Sequence, residues 1–204
     1  MYKEGIISWS IIESSDLPLN FALFTGCSYG LIEAADIKGE SKLWPPKCMN
    51  NQSAESLLLL KEQWKEWFQG LIQNRGEKVI LRKDFDLTNN LFNPPDFDEF
   101  PYRELRECCI NVWEPFHEWW FMAGGGKNAL SYLEGVDNQR IHQYINEFET
   151  KMNRTVKPFH LYIDLVYTGT KEIIEVNDEY IVMVPYRAVY TDKEWWMNKL
   201  KQIG

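Results

Sequence analysis

Between Ser53 and Gly76 the apolar residues Leu57, Leu60, Trp64, Trp67, Phe68 and Leu71 return at steps of three and four. Lys61, Glu62, Lys65, Glu66 and Gln69 fill the positions between them. That is the period of a helix with one buried stripe. Ser53 supplies an N-cap and Asn74-Arg75-Gly76 a stop. A second helical run starts at Arg103 and carries Leu105, Cys109, Val112, Phe116 and Trp119-Trp120; Pro115 is expected to kink or divide it, and Gly124-Gly125-Gly126 to end it. A third opens at Asp137 or Asn138, with Ile141, Tyr144, Ile145, Phe148 and Met152 on its apolar side. Thr191-Asp192-Lys193-Glu194 has the spacing of a capping box and predicts a closing helix with Trp196, Leu200 and Ile203.

Elsewhere the period shortens to two. Residues 5–12 (GIISWSII) and 21–24 read as short strands around a Ser-Asp-Leu-Pro turn, and residues 78–87 (KVILRKDFDL) as another. Residues 159–167, 172–176 and 179–184 read as consecutive strands, with turns at Thr168-Gly169-Thr170 and Asn177-Asp178. Leu161, Ile163 and Leu165 alternate with Tyr162, Asp164 and Val166, so one face is apolar and the other mixed. The predicted architecture is a single α+β domain over residues 1–204. Its antiparallel sheet, the N-terminal strands plus a C-terminal β-meander over 159–184, packs against about four helices.

Composition supports one sizeable core. The 204 residues are 45% hydrophobic and 25% charged, with nine Trp, ten Tyr and eleven Phe. Rings bury much area per residue, and Trp and Tyr also anchor interfaces. No run reaches the length of a membrane helix, and the start MYKEGIISWSIIESSD lacks the basic, apolar and small-residue regions of a secretory signal. The expected compartment is the cytoplasm. Cys27, Cys48, Cys108 and Cys109 lack metal-site or disulfide spacing, so buried thiols are expected.

Three motifs suggest chemistry. Gly26-Cys27-Ser28-Tyr29-Gly30 matches the G-x-S-x-G nucleophile elbow, which would make Ser28 the nucleophile of a small serine hydrolase with one of His117, His142 or His160. This elbow comes near residue 21, however, before the several strands that precede it in an α/β-hydrolase. Gly124-Gly125-Gly126-Lys127-Asn128 resembles a phosphate loop, but Phe121 stands where the first Gly belongs and Asn128 where a hydroxyl should hold magnesium. Glu114-x-x-His117 is half of a di-metal motif, and neither His142 nor His160 completes it. No catalytic residue, metal or cofactor is assigned.

Charge is the more informative feature. The formal net charge is −8, which disfavours nucleic acid as a partner and favours a basic protein. From Asp84 to Glu118 there are nine acids and only two bases, Arg103 and Arg106. Aromatic residues and Pro94-Pro95 interrupt this segment. Clustered carboxylates speed encounter with a basic partner, and rings supply the dry centre of an interface. The expected partner-binding residues are Asp96, Asp98, Glu99, Glu104 and Glu107, with Phe97 and Tyr102 as exposed anchors. In composition, a small, acidic, Trp-rich α+β protein resembles the immunity proteins of bacterial toxin systems, which cover a basic toxin domain. The resemblance implies a non-catalytic protein that neutralises or regulates a basic partner, and the Ser28 hydrolase is the alternative.

Overall fold

Four strands form one mixed sheet in the order β1-β2-β4-β3, where β1 is Trp9–Ser14, β2 Phe159–Leu165, β3 Ile174–Asn177 and β4 Tyr180–Met183. The computed structural model describes residues 9–32, 53–81, 91–133, 138–167, 173–184 and 192–204. The described helices are α1 (Leu17–Ser28), α2 (Ala54–Ile80), α3 (Arg103–Phe121), α4 (Gly126–Leu133), α5 (Asn138–Met152) and α6 (Lys193–Ile203). The α+β class is as expected, but the sheet is not antiparallel. β1 runs parallel to β2 from Trp9 opposite Phe159 to Ser14 opposite Asp164, and β2 runs parallel to β4. Only β3 and β4 pair antiparallel, across the turn at Asp178 and Glu179. Between β1 and β2 the described residues include five helices, which give the crossover that parallel pairing requires. The chain then carries β3 to the sheet edge before β4 returns beside β2.

Residues 21–24, expected as a strand, lie in the middle of α1. Asp16 caps this helix, its Oδ1 accepting from the Leu19 amide at 2.9 Å. Every residue from Leu19 to Ser28 is buried. A helix enclosed on all sides has no polar face, so its 3.6-residue period leaves no trace in the sequence.

Ser53 caps α2 as expected, accepting from the Ser56 amide at 3.2 Å. The helix then continues past the expected stop to Ile80, which corrects the strand predicted from residue 78; residues 82–87 of that prediction lie outside the described residues. Gly76 is kept inside the helix by a close approach. A Cβ there would stand 3.1 Å from Val176 Cγ1 and 3.3 Å from Tyr180 Cδ1. α3 contains Pro115 without dividing. α4, which was not expected, begins at Gly126, the last residue of the glycine run. Asp192 rather than Thr191 caps α6, accepting from the Trp195 amide at 2.9 Å.

Helices cover both sheet faces. Trp9 stacks on Phe159 and meets His142 of α5 edge-on at 4.8 Å, while Lys199 of α6 bonds Glu175 of β3 at 3.0 Å. On the opposite face, Asp164 of β2 and Tyr180 of β4 meet α2. α1 lies against α2 and α3, and Phe21 is the hub of their aromatic packing. Its ring centroid is 5.1 Å from Phe116, 5.2 Å from Trp113 and 5.5 Å from Phe97. Asn20 ties α1 to the end of β2, its Nδ2 donating to Leu165 O at 3.2 Å and its Oδ1 accepting from Tyr167 N at 2.8 Å. Among the described residues, no helix is long and apolar enough to cross a membrane.

Candidate functional site

The segment before α3 turns its rings inward and its acids outward. Phe97, expected as an exposed anchor, is 0% exposed. It packs on Phe21, Phe92, Phe100 and Trp113. Its backbone holds φ at +50°, a left-handed conformation that costs an ordinary residue about 1 kcal/mol. Burying a whole ring stabilises by more than that, roughly 2–3 kcal/mol, so the twist is retained. Tyr102, the other expected anchor, is half-buried, and its hydroxyl donates to Glu66 at 2.6 Å. That bond raises the phenol above its ordinary range.

Asp96, Asp98 and Glu99 point outward from the same turns. Arg106 tethers them, pairing with Asp98 and donating its Nε to the Asp96 carbonyl at 2.9 Å. In α3 the positions Leu105, Cys108, Cys109, Val112, Phe116 and Trp120 are buried. Glu104, Glu107, Glu114 and Glu118 fall on the opposite side, and all four are exposed. Arg103 approaches Glu107 at 3.7 Å. Gln63 donates to Glu104 at 3.1 Å and holds that carboxyl below the usual carboxylate range, so it stays ionised. The acidic residues Asp84 and Asp86 of the same segment lie outside the described residues.

A second polar group is buried behind α2. Asp164, 1% exposed, receives Arg75 Nε at 2.9 Å and the Tyr180 hydroxyl at 2.8 Å on one carboxylate oxygen. Its other oxygen, Oδ1, has no hydrogen-bond partner. The same Arg75 nitrogen lies 3.8 Å from Asp16 Oδ2. One guanidinium thus serves two carboxyls, and the closer contact goes to Asp164. Burial, then repulsion from Asp164, pushes Asp16 up to about 7, against the Leu19 amide, Arg75 and Lys78. Burial and Asp164 likewise drive Tyr180 well above the ordinary phenol range. This cluster ties α1, α2, β2 and β4 together; sequence reading missed it because its members are far apart in the chain.

The hydrolase geometry is not formed. Ser28 is the last residue of α1, not the tip of a strand-to-helix turn, and its buried hydroxyl has no hydrogen-bond partner. Gly30, at φ +67°, ends the helix, with the Leu31 amide returning to Gly26 O at 2.8 Å. Of the three histidines, His160 bonds Ser10 Oγ at 2.6 Å, across β1 and β2. His142 packs on Trp9, and His117 lies between Trp113 and Phe121. The glycine run is a tight α3–α4 turn, in which Gly126 begins α4 against Trp119 and Trp120. Cys27, Cys108 and Cys109 are buried as thiols, and burial with the neighbouring Cys108 raises Cys109 well above the ordinary range. Cys48 lies outside the described residues.

No family model, curated protein or solved structure matches this chain. The candidate site therefore rests on geometry: an acidic helix face, with a charged cluster bracing the scaffold behind it.

Proposed function

We propose that the protein is a non-catalytic binding protein that captures a basic protein on the outer face of α3 and neutralises or regulates it, in the manner of an immunity protein covering a toxin domain. The observation that carries this reading is the stripe Glu104, Glu107, Glu114 and Glu118, exposed along a helix whose other side is locked in the core. A rigid row of like charges focuses potential and raises the encounter rate with a cationic surface. Asp96, Asp98 and Glu99, exposed in the turns before α3, add to the negative charge at that end of the molecule. With Phe97 inside the molecule, the apolar contacts come from exposed side chains beside the row, of which Ile110 is one.

The test is capture from an extract of the source cells, followed by binding kinetics with the purified partner. Wild type retains a basic protein; a Glu114→Lys, Glu118→Lys double variant associates about tenfold more slowly and with a shallower salt dependence. A partner that is not basic, or an association rate that the reversal leaves unchanged, overturns the proposal.

A further inference from the structure

The groove between the first turns of α2 and α3 combines acid with exposed hydrocarbon. Its volume is about 330 Å³, with Leu60 and Cys108 deep in it, Leu59 on one wall and Glu104 and Glu107 on the other. Of the exposed apolar side chains on these two helices, Leu58 is 63% exposed, Leu59 45% and Ile110 43%, and Leu59 is the one that lines the groove. Three consecutive leucines, Leu57 to Leu59, open to solvent at the start of a helix are a cost unless something covers them. Glu55 and Glu104 stand in the first turns of α2 and α3, where they offset the partial positive charge of the two helix N-termini, and Glu107 follows one turn on from Glu104. Among the described residues Arg103 pairs there; it is 87% exposed and 3.7 Å from Glu107, a surface contact that another guanidinium can replace.

Resting on the reading above, we propose that this groove receives a basic amphipathic helix of the partner. Its apolar stripe covers Leu59 and the floor formed by Leu60 and Cys108, and one arginine enters between Leu59 and the carboxylates of Glu104 and Glu107. Two helices already flank the groove, so a third packs into it as ridges into a furrow. Charge complementarity selects the occupant. An acidic or neutral helix would leave both glutamates facing apolar surface or like charge, whereas an arginine has an apolar stem for Leu59 and a forked head for the carboxylates.

The probe is a short fluorescein-labelled helical peptide with a leucine stripe flanked by arginines, followed by anisotropy against the whole chain. Two further peptides replace its arginines by glutamate, or its leucines by serine. The proposal expects binding of the first peptide only, with Leu59→Ser weakening it about tenfold at an unchanged salt slope. Glu104→Gln, Glu107→Gln is expected to weaken it similarly and to flatten the slope. All three side chains are on the surface, and an unchanged melting temperature confirms that each variant folds. Equal binding of the glutamate or serine peptide overturns the groove. Binding lost on reversal of Glu114 and Glu118 but untouched by the leucine change also overturns it, while leaving the acidic face standing. Binding that no variant alters overturns both.

Discussion

Arg75 Nε lies 2.9 Å from Asp164 Oδ2, and that contact is the principal charge compensation for a carboxylate that is 1% exposed. Removing the guanidinium leaves Asp164 and Asp16 facing each other in a poorly solvated space. Arg75→Met should therefore lower unfolding free energy by about 3–5 kcal/mol. Adding Asp164→Asn to the same chain should recover much of that loss, because the charge needing compensation is gone. Urea unfolding of the single and double variants measures both; a double variant no better than Arg75→Met would show that the arginine acts through packing.

The proton on Asp16 gives a pH dependence whose sign is fixed. Its carboxyl rises from 3.8 to about 7 on folding, so the folded chain holds a proton that the unfolded chain releases. This contribution to stability is full below pH 4, declines as pH rises, and is lost above about 7. Asp16→Asn keeps the acceptor for the Leu19 amide and removes the titration. Relative to wild type, the variant should gain on the order of 2–4 kcal/mol between pH 4.5 and 8. Parallel urea midpoints across that range would contradict a buried Asp16 carboxyl that titrates near 7.

Phe97 supports the core rather than a partner. Phe97→Ala should cost about 3–5 kcal/mol by opening a cavity among Phe21, Phe92, Phe100 and Trp113. A thermal melt within a degree of wild type would restore it to the surface.

Ser28→Ala should be neutral or stabilising by up to about 1 kcal/mol, since the hydroxyl is buried without a hydrogen-bond partner. Wild type should also resist a fluorophosphonate probe. Labelling that disappears in the variant would revive the hydrolase.

How much of this was legible in the sequence depended on whether an element had a wet side. α2, α3 and α5 each expose one face, and their apolar stripes predicted them. β2 alternated as expected, and Asn177-Asp178 marked the β3–β4 hairpin. α1 was invisible because all its faces are covered. α4 was hidden because Gly126-Lys127-Asn128 reads as loop. Strand order is not a local property: nothing near Thr168 indicates that β4, not β3, lies beside β2. The carboxylates of the candidate face were readable as a charge cluster, and all those in the described segment do face outward. The direction of the rings between them was not readable, because it depends on a left-handed residue at Phe97 and on the Phe21 hub far away in the chain.

The parallel pairing of β1 with β2 also has a consequence for how the chain is made. Ser10 and His160, bonded across those strands, are 150 positions apart. During translation β1 emerges well before β2, its neighbour among the described strands. The helical bundle around Phe21 can collapse in that interval, with the edge of β1 waiting exposed. Nascent chains arrested before β2 should therefore be open to strand-seeking chaperones, and those arrested after β4 should not.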